Sequence, residues 1–362
     1  MRERITTRSL RVLGSGAALP GKPISTSDLL AKISERFGIH YPRFVNKIVK
    51  QLGIETRHIC RNFELPLESP RTGDTNPDLA ARALQEALAE SELTPSEIGY
   101  LFGHTTSPHT LLPPNISWVA DKIGYDGPYA ELRQACTGFA NCLQLAVGLF
   151  ADGNCPAVAI VGSETGSVFF DPRTIEEDRE QLVNMLQMGD GAGSIVLAPA
   201  GDNRPPRLEK IFFGTLGTEW KPGLSLEKGG SSQPFGTSGV ATFKHDFQDI
   251  RKNGMLLFDA GAKAAQKAGI KLGDVDRILV HQANGRMGDL MGPHFGIPES
   301  KFVVDGDKVG NLGSASIWVA LHRLRASAGL KENETVLVLG AESTKYLFGG
   351  FLYIHGTHVK KV

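Results

Sequence analysis

The chain has 362 residues, enough to bury a large core and to hold two domains or two fused halves. Hydrophobic residues make up 41% and charged residues 22%, and 39 basic side chains balance 39 acidic ones, which argues against a broad nucleic-acid or polybasic membrane surface. The four cysteines, Cys60, Cys136, Cys142 and Cys155, lack zinc-type spacing and are too few for a disulfide scaffold, so a reducing cytoplasm is expected and no metal.

The start, Met1-Arg2-Glu3-Arg4, is basic but has no apolar h-region behind it, and no segment reaches the ~20 apolar residues that cross a bilayer. Apolar residues at helical spacing predict a helix over Asp78–Glu90, with Pro77 in its first turn. Short apolar runs at Gly99–Gly103 and Ala157–Val161 predict buried strands. Between them, Thr137–Phe150 predicts a helix with almost no polar face, which must be buried. Gly193–Ala198 predicts the closing strand of a first half, residues 1–199. Pro199–Pro206 reads as a linker to a second half, residues 207–362, in which Arg277–Val280 is a further strand.

The second half repeats the first. His281 follows His104 by 177 residues, Asn311 follows Cys136 by 175, and Leu339-Gly340-Ala341-Glu342 follows Val161-Gly162-Ser163-Glu164 by 178. A duplicated α/β unit puts Cys136 and Asn311 at equivalent helix starts, and a pseudo-twofold axis brings them to one cleft. Cys136 opens the Thr137–Phe150 helix, where unpaired N–H groups and the positive dipole end favour a thiolate and can hold an oxyanion. Gly138 allows close approach of a neighbour. His281 ends a strand, where imidazole can move a proton or stabilise charge. Asn311 can cap the following helix or donate to a carbonyl oxygen without titrating. Cysteine, histidine and asparagine together point to acyl transfer through a thioester. Cys142, inside the helix, reads as a core residue.

Along almost its whole length the chain resembles the β-ketoacyl-acyl carrier protein synthase III family of thiolase-fold condensing enzymes. The resemblance rests on Gly53-Ile54 with Arg57-His58-Ile59, Ala135-Cys136-Thr137-Gly138-Phe139, Gly189-Asp190-Gly191-Ala192-Gly193, His281-Gln282-Ala283-Asn284 with Arg286, and Gly310-Asn311 with Ser314-Ala315-Ser316. It implies a homodimer with duplicated αβα halves and a five-layer αβαβα core. It also implies that Cys136 takes the acyl group and that His281 and Asn311 act on the extender. CoA or carrier-protein phosphopantetheine thioesters are then substrates, and no cofactor is implied. Thr106, Leu112, Phe139, Arg286, Ser343 and Thr344 become candidate substrate-binding residues.

Departures from the family pattern bear on the substrate. Lys47 and Gln51 stand where housekeeping members clamp the CoA adenine with tryptophan and arginine. Lys47 and Lys50 can instead meet an acidic carrier protein, or form a solvated helix face. Glu342-Ser343-Thr344-Lys345 replaces a glycine-rich loop, and Leu112 stands where many members have phenylalanine. Glu164, at a strand end, is a candidate extra general base or an interface or salt-bridge residue. As a base it would suit a branch that joins and cyclises β-ketoacyl units toward dialkylresorcinol or cyclohexanedione products. The expected activity is Claisen-type condensation in fatty-acid-derived or polyketide specialised metabolism. The alternatives are acyl transfer to an alcohol or amine, and a non-catalytic ketosynthase partner subunit.

Overall fold

The structure is a computed structural model and describes residues 2–63, 73–201, 204–226, 241–327 and 329–356. Strands β1 (Arg2–Ile5) and β2 (Leu10–Ala18) lead to helices α1 (Thr26–Phe37), α2 (Val45–Leu52) and α3 (Asn76–Ser91). Next come β3 (Tyr100–His104), α4 (Asn115–Ile123), β4 (Tyr129–Leu132), α5 (Gly138–Ala151), β5 (Val158–Thr165), α6 (Arg179–Gln187) and β6 (Asp190–Pro199). The second half runs β7 (Arg207–Thr215), α7 (Phe247–Lys267), β8 (Arg277–Val280), α8 (Met287–Phe295), α9 (Ser316–Ala326), β9 (Thr335–Glu342) and β10 (Leu347–Ile354).

The duplication is visible in the sheets. The first half orders its strands β2-β6-β5-β3-β4 and the second β7-β10-β9-β8. Pairing senses match: β3 with β5 and β8 with β9 are parallel, whereas β5 with β6 and β9 with β10 are antiparallel. In place of β4 the second half has a single parallel bridge from Ile278 to Phe302. β1 departs from chain order, crossing over to pair with β7 in the second sheet. Edge to edge, β2 meets β7 through Leu10 with Leu208 and Arg11 with Arg207, and Val12 N–H donates to Pro206 O at 3.0 Å.

Five layers result. α3 and α4 cover the outer face of the first sheet, and α7 and α8 that of the second. Between the sheets lies a central layer of α5 and α9, where Phe139, Leu143, Phe150, Trp318 and Leu321 meet apolar strand residues of both halves. Sandwiching explains why α5 is apolar almost all round: both its faces are covered. Leu145, 42% exposed, is its one exposed large side chain, and Gly148 and Ala151 are exposed with it. Close packing of α3 on β2 needs glycine, because a Cβ at Gly14 would sit 2.1 Å from the Ala87 carbonyl oxygen.

Phe139 is fully buried, edge-on to both Trp318 and Phe351. Its ring is thus central-layer core. Truncation there leaves a cavity facing both sheets. Phe139→Ala should lower the unfolding free energy by about 3–5 kcal/mol, read from the urea midpoint at unchanged m-value.

Candidate active site

The nucleophile turn joins β4 to α5. Cys136 is partly exposed as a residue, between buried Ala135 and Thr137. Thr137 caps α5 but gives its own groups away. Its N–H and Oγ1 both donate to Glu342 Oε2, at 2.9 and 2.7 Å. Gly138 N–H donates to Ala135 O at 3.0 Å. The helix end that was expected to favour a thiolate is therefore already occupied by a carboxylate. Burial first, then the charges of Glu342 and Glu164, push the Cys136 thiol well above the usual cysteine range.

His104 ends β3 behind this turn, and a Cβ on Gly138 would lie 2.4 Å from its Nδ1. Trp318 Nε1 donates to His104 Nε2 at 3.2 Å, which leaves the ring proton on Nδ1, facing the Gln134–Ala135 backbone. Burial lowers His104 to about 4, so the ring is neutral.

His281 follows β8, and its N–H donates to Leu339 O on β9 at 2.8 Å. Its side chain is buried, and among the described residues Nδ1 has no hydrogen-bond partner. Burial lowers its pKa to about 4. Gln282 braces the loop beyond, accepting from the Asp305 and Gly306 N–H groups at 2.7 and 3.0 Å.

Asn311 is held by its backbone on both sides: its N–H donates to Gln187 O at 2.9 Å and its carbonyl accepts from Gly189 N at 3.0 Å. Asn311 Oδ1 accepts from Gly313 N–H at 3.0 Å, so the amide caps the following turn, Gly313–Ala315, and Nδ2 remains as a donor.

Hydrogen bonds tie together the segments that carry these three residues. Ser314 Oγ, three residues after Asn311, donates to Gln134 O at 3.3 Å, two residues before Cys136. Leu339, which holds His281, lies on the same strand as Glu342, which holds Thr137. The 3-oxoacyl-[acyl-carrier-protein] synthase III family matches residues 130–217, and its C-terminal counterpart matches residues 265–344. The chain is 30% identical over 353 residues to a Desulfitobacterium hafniense β-ketoacyl-[acyl-carrier-protein] synthase III, covering 95% of each protein.

The chain belongs to the β-ketoacyl-[acyl-carrier-protein] synthase III family.

This ketosynthase is also 32% identical over 323 residues to a 3-oxopimeloyl-[acyl-carrier-protein] synthase of Rhodothermus marinus, covering 87% of this chain and 85% of the relative. Among solved structures it resembles AbyA1, a tetronic acid condensing enzyme, with TM-score 0.80 and 26% identity over 96% and 100% of the two chains. A synthase III of Pseudomonas aeruginosa PAO1 shares the fold at TM-score 0.78 and 23% identity, over 97% and 100% of the chains.

Other residues singled out in the sequence are dispersed around this centre. Glu164, expected as a possible free base, is buried with both oxygens engaged. Oε2 accepts from Ser314 N and Oγ at 3.3 and 2.8 Å; Oε1 accepts from Thr106 Oγ1 at 3.0 Å and from Ser107 Oγ. Burial pushes its carboxyl up against the opposing pull of these donors. Thr106 and Thr344 spend their hydroxyls on Glu164 and Glu342 respectively. Ser343 O accepts from Gly223 N at 2.9 Å. Arg286 pairs with Asp289 at 2.8 Å. Leu112 is 84% exposed, and Lys47 and Lys50 are exposed on α2.

His104, Thr137, Ser314 and Glu342 were missed as site residues. The repeat was the available signal, since it pairs His104 with His281 and Glu164 with Glu342.

His104, His245 and His281 each fall from the usual 6.5 to about 4 on folding. Between these values the unfolded chain binds protons that the native rings refuse, so their contribution to stability is lost as pH falls through this window. His281→Asn should flatten the decline of Tm between about pH 6.5 and 4. An unchanged slope would show that the ring is not buried neutral.

Proposed function

We propose that this ketosynthase loads an acyl group on Cys136 and joins it to a malonyl- or β-ketoacyl-thioester by carbon–carbon bond formation. The observation that carries this reading is the Ser314 Oγ to Gln134 O bond, which ties the Asn311 turn to the nucleophile turn. In the first step the Cys136 sulfur bonds to the acyl carbon. The pantetheine thiol leaves and takes up the proton that Cys136 gives away. In the second step the extender loses carbon dioxide, or a proton where it is already acidic between two carbonyls. Its carbanion attacks the acyl carbon, and the C–S bond to Cys136 breaks; the sulfur leaves as a thiolate, which regains its proton from water after decarboxylation or takes up the proton that the extender gave to water. Neutral His281 and Asn311 Nδ2 are the donors for the enolate oxygen, a role that two uncharged groups can fill in a buried site.

An acyl carrier protein is the partner we favour for the donor. Lys47 and Lys50 project from α2, and Leu52, the last residue of that helix, accepts from Gly285 N at 2.8 Å in the His281–Arg286 loop. An acidic carrier docked there would deliver its arm beside His281. The assembly we favour is a homodimer. β4 is an edge strand, Tyr129 on it is 42% exposed, and Leu111 and Leu112 nearby in sequence are 53% and 84% exposed. The likeness to AbyA1 supports a specialised acceptor over housekeeping chain initiation. The hydrogen bonds that occupy Glu164 remove it as support for a cyclising step.

Intact-mass spectrometry after exposure to a panel of acyl-CoAs, with and without malonyl-carrier protein, tests the scheme. The adduct should map to the Cys136 peptide, and a full adduct in Cys136→Ala would overturn the assignment. Asn311→Ala should acylate normally yet release condensed product about 10²–10³-fold more slowly.

A further inference from the structure

The two buried glutamates form a crossed pair. Glu164 closes the first half's β5 and Glu342 the second half's β9. Each reaches into the opposite half and accepts, on one oxygen, both the N–H and the hydroxyl of a residue in a helix-leading turn. For Glu164 that residue is Ser314, and for Glu342 it is Thr137. Duplication explains the symmetry but not the charge. Two neutral acceptors could make the same ties without the cost of desolvating a carboxylate.

Glu342 is the more telling of the two. It is buried, and among the described residues its hydrogen-bond partners are Thr137 N–H, Thr137 Oγ1 and Thr344 Oγ1, none of them a cation. Its partner Thr137 is the residue that follows the nucleophile. We propose that Glu342 is a positioning residue of the acyl-transfer site, which fixes the Cys136 turn through Thr137 and sets a buried negative charge against the thiol.

Burial contributes most to raising the Cys136 thiol, and the charged groups near it add to this against one backbone hydrogen bond to the sulfur. Glu342 comes from β9 and Glu164 from β5, and both raise the thiol. His104 from β3 and His281 from β8 are neutral and supply no compensating positive charge. The nucleophile therefore rests as a thiol at neutral pH, and its proton leaves only when a thioester carbonyl is in place to take the electron pair. This rests on the reading of Cys136 as the nucleophile and adds the residue that sets its resting state.

Alkylation of the full-length protein by iodoacetamide, followed at Cys136 by peptide mass spectrometry across pH, tests this without knowledge of the acyl substrate. Glu342→Gln keeps an acceptor for Thr137 and removes the charge. The pH profile should move down by about one unit, with alkylation at pH 7.5 rising about tenfold. Glu342→Asp keeps the charge but retracts it from Thr137. Its profile should stay near that of the parent while acylation by acyl-CoA slows. A Glu342→Gln profile that superimposes on the parent's overturns the proposal, as does a Glu342→Asp profile shifted equally. Should Glu342→Gln fail to fold, Glu164→Gln, which removes the lesser charge and leaves Thr137 untouched, must give a smaller shift in the same direction, and none would overturn it. If acyl-CoAs label a residue other than Cys136 while these shifts occur, the function reading fails and the electrostatic finding stands.

Discussion

The burial of α5 and α9 between two sheets is the constraint on which the rest depends. Most of α5 and the Ser316–Leu321 stretch of α9 are buried and must be covered from two sides, and α9 carries His322, Arg323 and Arg325 beyond that stretch. One sheet cannot do that. Duplication supplies the second sheet, and the pseudo-twofold relation then sets the two turns that lead into these helices against each other. Cys136 precedes one helix and Asn311 the other, so the packing of the central layer is also the assembly of the site.

Bringing two helix starts into an apolar interior creates a polar problem. Their leading N–H groups have no partner within the helix and little water to turn to. Glu164 and Glu342 answer it, each across the dyad, and Trp318 with His104 adds a third tie under the nucleophile turn. The solution also has an electrostatic consequence. A helix start normally offers positive potential, and here carboxylates cancel it. The result is a cysteine surrounded by hydrogen-bonded negative charge and neutral imidazoles, unlike the low-pKa cysteines that sit at open helix ends.

Such a site suits a reaction in which charge appears on the substrate rather than on the resting enzyme. Neutral His281 and the Asn311 amide can donate to a developing oxyanion without first shedding a proton or a counterion. Both residues are held by hydrogen bonds of their own backbone: the Leu339 carbonyl for His281, and the Gln187 carbonyl and Gly189 N–H for Asn311.

The sequence by itself determined the elements and the chemistry-bearing residues. Period and run length mark α3, α5, β3, β5 and β8, because a buried strand and a doubly covered helix leave unmistakable apolar runs. The offset between His104 and His281, and between Cys136 and Asn311, announces the duplication. Local pattern could not reveal the crossing of β1 to the second sheet, since a four-residue strand of mixed polarity carries no address. Nor could it separate the roles of the glutamates. A carboxylate at a strand end reads equally as base, ion-pair member or cap, and only the neighbours decide. Tertiary structure gave Glu164 four donors and so no free lone pair in evidence, and gave Glu342 the N–H next to the nucleophile. It also reversed the expected effect of the helix start on Cys136, first through burial and then through the carboxylates that β9 and β5 bring near the thiol.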